Sequence, residues 1–472
     1  MPSVAILLAA SSTGEISMNH RAAALVLFAI VSLSLAGSRA RGQAAVAEAP
    51  SKLALPAADA AAPGVGPIRQ EPWFRDLWLK RRSEFADRRD DEHGALAFFG
   101  DSITQGWGDD FQGDFKGVKV ANRGISGDTT KGLLMRVDDD VLALDPAGVV
   151  LLIGTNDVEL GVSPQDIAGN IKLLLDKIVA HDPDTSVIIC QVMPTSAKKK
   201  RPTDKIQAVN REVAAVAKAF DNVTVLDTYT LFANAAGEAK PEEFPDLLHP
   251  NAAGYAKWRA ALQPLLATLG FVETDPEEFT PEPGFESLYN GRDLTGWGFR
   301  PTTDEDRAAI ANWKRADPNM PPWPIVEVAQ SFDGKTESPD RRFRAIHDRI
   351  VSTTPSEGRR VQKLLTMADF PGDFTLRLQF RATPNADSGV YLRGKQLQCR
   401  DYPLAGPYKD LKNYKPQDWN DMEVIVRGNT AHCTVNGEVV EDAYELPDTG
   451  PIGVEGDRGQ MEYRHIRIKR GA

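Results

Sequence analysis

Between residues 95 and 270, short unbroken apolar runs alternate with amphipathic segments, and this rhythm constrains the fold more than any other feature of the chain. The runs are Ala95–Phe99, Val118–Ala121, Val149–Ile153, Val187–Cys190 and Val223–Leu226. Helical patterns lie around Trp73–Ala86, Lys131–Leu144, Pro164–Ala180, Lys205–Phe220 and Ala252–Leu269. An uninterrupted apolar run suits a strand buried on both faces, and a helix between two such strands supplies the crossover that parallel pairing needs. The expectation is an α/β doubly wound domain.

After residue 283 the period drops to two. Phe374–Arg381, Met422–Arg427 and Tyr463–Ile468 alternate cleanly. Thr430–Val435 and Glu438–Val440 flank Asn436-Gly437, a strong two-residue hairpin signal. One short helix is expected near Asp304–Lys314. This half reads as an antiparallel all-β sandwich or jelly roll.

The amino terminus reads as an address. Ala22–Gly37 is uncharged and mostly apolar, follows His20 and Arg21, and precedes Arg39 and Arg41. Such a stretch is short for a membrane span and has the form of a secretory h-region, with an uncleaved anchor as the alternative. Met18 would be the conventional start, and small-residue cleavage sites lie at Gly42-Gln43-Ala44 and Ala45-Val46-Ala47. The expected organisation is a signal peptide over 1–44, an Ala/Pro-rich linker over 45–70 and the α/β domain over 71–271. A second linker over 272–283 and a β-sandwich over 284–472 follow. Export to the periplasm or the extracellular space is expected, without stable membrane insertion.

Composition narrows the partners. Across 472 residues, 55 Lys and Arg against 66 Asp and Glu give a net charge of −11. With no basic stripe, this argues against a nucleic-acid partner. Cys190, Cys399 and Cys433 are too few for a disulfide framework and lack metal-ligand spacing. They read as buried free thiols, with a Cys399–Cys433 bridge as the alternative. No metal or cofactor is expected, and oligomeric state is left open.

Four signals in the α/β half combine. The first apolar run leads into Gly100-Asp101-Ser102, a tight turn that can expose a hydroxyl. The second leads into Gly127, which can present its backbone N–H. The third ends in Gly154-Thr155-Asn156-Asp157, and the last helix is preceded by Asp246-Leu247-Leu248-His249. In open parallel sheets, ligands bind beyond the carboxyl ends of the strands, where all four would fall. Singly, each would be an ordinary turn or cap. Asp101 and Asp128 read as structural hydrogen-bonding groups, and His93, His181, His347, His432 and His465 sit in no chemical motif.

These blocks resemble the SGNH (GDSL) hydrolases, over about residues 70–270. The segments Asn122–Thr130 and Asp246–Tyr255 look closest to the platelet-activating-factor acetylhydrolase-like branch. The resemblance implies a flavodoxin-like strand order, 2-1-3-4-5. It also implies Ser102 as nucleophile, His249 as its base and Asp246 as the group orienting His249. The Ser102 and Gly127 N–H groups and the Asn156 amide would form the oxyanion hole, with no cofactor. The G-x-S-x-G of α/β-hydrolases is absent.

Residues 284–470 resemble the 3-keto-disaccharide hydrolase-like domains, through Gly284–Trp297 and Asn385–Gly394, then Gln398, Asp401 and Trp419–Glu423. The resemblance implies a concanavalin-like jelly roll and glycoside substrates. Family members often carry Glu two residues before the Gln398 equivalent, where this chain has Gln396. Arg393, Gln398 and Asp401 are candidate glycan-binding residues; the alternative is an ordinary solvated strand face.

The combined expectation is an exported serine esterase that removes acyl groups, acetyl foremost, from a small-molecule or oligosaccharide ester. Its second domain would process or bind glycans. The alternative is a lipid esterase or lysophospholipase with the β-domain as a non-catalytic anchor.

Overall fold

The computed structural model describes residues 52–56, 63–272, 279–319, 322–353 and 361–471. The leader with its Met18 start, part of the first linker and residues 273–278 of the second lie outside the described residues. Among the described residues, no helix is long and apolar enough to cross a membrane.

The first half is a five-stranded parallel sheet: β1 (Leu96–Gly100), β2 (Val120–Gly124), β3 (Gly148–Leu152), β4 (Ser186–Cys190) and β5 (Val223–Leu226). Its order is β2-β1-β3-β4-β5, as the resemblance implied. Every residue of β1 and β3 is buried, because helices cover both faces. One face carries α3 (Thr130–Asp140), α5 (Pro164–His181) and α6 (Thr203–Ala217), whose apolar stripes join one core with Phe99, Leu151 and Ile189. After the short α7 (Thr228–Phe232), the other face carries α8 (Ala252–Thr268), packed through Trp258 and Leu262 on Phe98, Leu152 and Ile188.

Helix boundaries follow local chemistry. Ser163 accepts from the Asp166 N–H ahead of Pro164, and Thr129 and Asn251 cap α3 and α8 in the same way. Apolar periodicity overran two carboxyl ends: Leu142–Leu144 forms a separate 3₁₀ turn, and α6 stops at Ala217.

Residues 63–70, assigned to a linker by composition, lie against this layer. Ile68 is buried, and Val65 exchanges two 2.8 Å hydrogen bonds with the Asn170 side chain. They lead into α1 (Pro72–Asp87), whose Phe74, Trp78 and Phe85 form a small core with Ile125. A Pro/Gly-rich stretch lacks periodicity whether it is loose or laid along a surface; Ile68 and Asn170 decide which.

The second half is two antiparallel sheets. In one, Phe374–Ala382 lies between Met461–Arg470 and Asn420–Arg427. In the other, Gly389–Leu392 lies between Lys395–Gln398 and Ile452–Glu455. Trp297, Phe380, Val390 and Tyr463 share the core. Asn436 and Gly437 both adopt positive φ, +48° and +80°, as a two-residue hairpin requires. The helix anticipated near Asp304 spans Asp304–Ala316. All three cysteines are buried free thiols.

Both halves belong to one compact unit. The Gln460 amide donates to the Pro264 carbonyl at 3.2 Å and the Thr268 hydroxyl at 2.9 Å, and Asn385 donates to Asp227 at 2.8 Å.

Candidate active site

Ser102 begins the short helix α2 (Ser102–Gln105), directly beyond β1. The Asp101 carboxylate caps that helix by accepting from the Ile103 N–H at 2.9 Å. Position 100 admits only glycine: a Cβ there would lie 2.3 Å from both the Leu152 carbonyl oxygen and the Thr104 hydroxyl. The close approach of β1 to β3 thus turns the chain sharply and presents Ser102 at the sheet's carboxyl edge.

Its hydroxyl lies 3.0 Å from His249 Nε2, and His249 Nδ1 lies 2.8 Å from Asp246 Oδ2. Facing a carboxylate, Nδ1 carries the ring proton, which leaves Nε2 to accept from Ser102. The other Asp246 oxygen takes the Leu248 N–H at 3.0 Å and the His249 N–H at 2.7 Å. Partial burial raises the Asp246 pKa, but the His249 backbone and ring bonds outweigh it and hold the carboxyl at about 2. Lys199 Nζ stands 3.5 Å away.

Gly127 follows β2 at φ +86°, the left-handed region glycine favours. Gln105 Oε1 anchors its loop to α2, accepting from the Ser126 N–H at 2.7 Å and the Ser126 hydroxyl at 2.8 Å. Among the described residues, the Gly127 N–H has no acceptor. Trp73, 51% exposed, lies against it; a Cβ on Gly127 would meet the indole at 2.8 Å.

Asn156 sits in α4 (Thr155–Glu159), beyond β3. Its Nδ2 donates to the Asp128 carbonyl at 2.9 Å, and its Oδ1 accepts from Arg201 at 2.9 Å. One amide hydrogen is thereby committed to the Gly127 loop, and the second is left over.

Buried carboxylates support these loops. Asp128 accepts from Arg136 Nε at 2.8 Å, and Asp157 accepts from the Thr130 hydroxyl at 2.5 Å. Burial raises Asp101 to about 7 and, against their hydrogen bonds, Asp128 and Asp157 to about 6. Among the described residues, no group of three or more His, Cys, Asp or Glu is placed to hold a metal ion.

The structure therefore brings Ser102, His249 and Asp246 into one hydrogen-bonded chain, and ties Asn156 to the loop of Gly127. The glycan-binding candidates of the second half do not converge. Arg393 is 3% exposed and donates to the backbone carbonyls of Phe370, Gly428, Pro447 and Gly372, so it clamps loops rather than facing solvent. Asp401 is equally buried, accepting from the Asn385 N–H at 2.9 Å and from Tyr414 at 3.3 Å. Of these three candidates, only Gln398 keeps a buried side-chain oxygen for which the described residues supply no partner. Nearby, Glu455 accepts from Tyr391 at 3.2 Å and from Gln396.

Sequence reasoning missed Arg69, Glu159 and Arg201, which surround Gly127 and Asn156. Glu159 lies only three residues beyond Asn156, but Arg69 and Arg201 have no fixed spacing to the motifs, so nothing local reveals the carboxylate they share.

A hydrogen-bonded Ser–His–Asp chain recurs on unrelated folds among serine hydrolases, and here the three side chains meet at the carboxyl edge of a doubly wound sheet. Residues 98–257 match the GDSL-like lipase/acylhydrolase family, and residues 284–469 match the 3-keto-alpha-glucoside-1,2-lyase-like domain. The chain thus carries a GDSL-like acylhydrolase domain followed by a 3-keto-disaccharide hydrolase-like domain. The platelet-activating factor acetylhydrolase IB subunit alpha2 of Gallus gallus is 28% identical over 206 residues, 43% of this chain and 88% of that one. An acetylxylan esterase of Geobacillus stearothermophilus is 48% identical over 42 residues, covering 9% of this chain and 19% of that protein. A solved GDSL-like lipase of Bacteroides thetaiotaomicron is 26% identical, covers 39% of this chain and 96% of that one, and has a TM-score of 0.36.

Proposed function

We propose that the α/β domain is an exported serine esterase that removes acetyl groups from carbohydrate through an acyl-enzyme. The observation that carries this reading is the chain from Ser102 Oγ to His249 Nε2 at 3.0 Å and from His249 Nδ1 to Asp246 at 2.8 Å.

Ser102 Oγ attacks the ester carbonyl carbon while Nε2 takes the hydroxyl proton. The carbonyl π electrons move to oxygen, and the resulting anion is met by the Ser102 and Gly127 N–H groups and the uncommitted Asn156 amide hydrogen. As the first residue of α2, Ser102 has no N–H partner within its own helix, so that donor is available. Asp246, ionised down to about pH 2, stabilises the imidazolium. Collapse breaks the bond to the alcohol oxygen, which receives the Nε2 proton. Water then attacks the acyl carbon, giving its proton to Nε2, and the proton returns to Ser102 as acetate leaves.

The carbohydrate reading is supported by Trp73, half exposed beside Gly127, because an aromatic face beside the acyl site can stack on a sugar ring. The attached domain and the acetylxylan esterase match point the same way. The β-domain would bind or process glycosides, with Gln398 as the one candidate of its three that retains an unpartnered polar atom.

The test is release of acetate from an acetylated xylo-oligosaccharide and from para-nitrophenyl acetate, beside para-nitrophenyl palmitate and the Ser102→Ala variant. Ser102-dependent release from both acetates is expected. Preference for the palmitate would replace this reading with a lipid esterase anchored by its β-domain. Activity surviving Ser102→Ala would remove the site assignment.

A further inference from the structure

We infer that Arg69, Glu159 and Arg201 are positioning residues that hold the two oxyanion donors Gly127 and Asn156 through one shared carboxylate. The inference rests on the esterase reading above and deepens it, by naming what aligns the donors.

Arg69 Nε donates to the Gly127 carbonyl at 3.2 Å, and its terminal nitrogen pairs with Glu159 Oε2. That oxygen also accepts from Arg201 at 2.9 Å. Arg201 in turn donates to Asn156 Oδ1 at 2.9 Å and, through Nε, to the Thr155 carbonyl at 2.9 Å. The arc therefore runs without a break from the backbone of one donor to the side chain of the other. Arg201 is 4% exposed, and a guanidinium that deeply buried keeps its place only while its hydrogen bonds are met.

Each contact does something definite to the donor it touches. A guanidinium on Oδ1 forces the Asn156 amide to turn its NH₂ towards the Asp128 carbonyl. The flipped amide would present an oxygen to a developing oxyanion and repel it. Pulling electron density towards Oδ1 also makes the remaining N–H a stronger donor. Arg69 fixes the Gly127 carbonyl, and so restrains a residue at φ +86° whose N–H must stay aimed. Partial burial opposes ionisation of Glu159, but Arg201 and Arg69 lower its pKa overall, so the shared carboxylate stays charged.

Arg69 precedes residues 98–257, the span matched to the acylhydrolase family, and reaches the site from the segment leading into α1. The site is thus finished by a stretch outside that span.

Donor alignment matters only when charge develops, so a fault in it lowers kcat and leaves KM alone. Removing one oxyanion donor typically costs about 10²–10³ in kcat, and misaligning two should cost part of that. Full-length Glu159→Gln and Arg69→Ala should each lower kcat on para-nitrophenyl acetate by about tenfold or more, with KM within about twofold. In an Asn156→Ala background the Glu159→Gln effect should shrink, because one of its two targets is gone. Millimolar guanidinium should restore part of the rate of Arg69→Ala.

Full kcat in both variants would overturn the inference. So would a loss that adds in full to Asn156→Ala, or one that tracks a lowered melting temperature and ignores guanidinium. If Ser102→Ala retains activity, the esterase reading itself fails; if that variant is inactive while Glu159→Gln is unimpaired, only the relay fails.

Discussion

The two halves of the chain treat polar groups at the ends of their strands in opposite ways. At the carboxyl edge of the parallel sheet, the Ser102 hydroxyl faces a base, the Gly127 N–H has no acceptor among the described residues, and Asn156 keeps one amide hydrogen uncommitted. In the β-sandwich, Arg393 and Asp401 are as deeply buried, but their hydrogen bonds run to neighbouring backbone and to Tyr414. A site is a place where hydrogen-bonding capacity is left over and aimed, and burial with charge does not by itself make one. The difference is that the residues named by one resemblance meet at one sheet edge, whereas those named by the other stay apart.

The sharpest way to break the comparison is Ser102→Ala. If the leftover capacity at the sheet edge is catalytic, ester hydrolysis should fall by about 10⁴-fold or more while melting temperature changes little. Retained turnover would reduce the α/β edge to the same status as the clamped sandwich residues. Next in size is Asn156→Ala. It should lower kcat by about 10²–10³ at nearly constant KM, as expected of a group that acts on the oxyanion rather than on bound ester. A rise in KM alone would make Asn156 a binding residue.

How much of this was legible depended on the range of the signal. The unbroken runs of β1 and β3 announced strands covered on both faces, and the order of the sheet came with the family blocks. Ser102, Gly127, Asn156, Asp246 and His249 were visible because each stands at a fixed offset from its own strand or helix. Arg69, Glu159 and Arg201 were not, because two of them meet Glu159 from 90 and 42 residues away and obey no spacing rule. Arg69 was further hidden in an Ala/Pro-rich stretch that reads as a tether until Asn170 is seen to hold it. Arg393 fails differently. It sits at φ +53° in the turn between Gly389–Leu392 and Lys395–Gln398, and nothing local distinguishes an arginine facing sugar from one folded back onto the carbonyls of Phe370 and Gly428.

Arg393→Ala turns that distinction into a measurement. Removing the guanidinium leaves the buried Phe370 carbonyl without its donor, at a cost of about 1–3 kcal/mol, whereas Gly372, Gly428 and Pro447 are exposed residues whose carbonyls water can reach. The β-domain should therefore lose about 1–3 kcal/mol in denaturant unfolding, with no change in ester turnover at temperatures where it stays folded. A loss of glycan affinity at unchanged stability would restore Arg393 as a ligand group.

The smallest effect sets Glu455 against Asp246, one carboxyl from each half. Asp246 is held at about 2, so it stabilises the fold above its unfolded pKa near 3.8, and that contribution fades as pH falls towards 2. Glu455 has the opposite sign. Burial first, and then Asp457, raise it from 4.5 to about 7. Between those values the folded protein holds a proton that the unfolded chain has released, so stability falls as pH rises, and the loss is complete above about 7. At 1.36 kcal/mol per pH unit the ceiling is about 3 kcal/mol, and relaxation around the ion brings the expected figure to about 1–2 kcal/mol. Asp101, Asp128 and Asp157 tilt the wild-type curve in the same direction, so the variant and not the slope alone is informative. Glu455→Gln should unfold in urea with a smaller difference between pH 5 and pH 8 than the parent, and with the gain confined to pH 8. An identical pH dependence in the two proteins would mean that Glu455 ionises as readily as a solvated carboxyl, and that the sandwich face around Gln396 and Tyr391 is open to water.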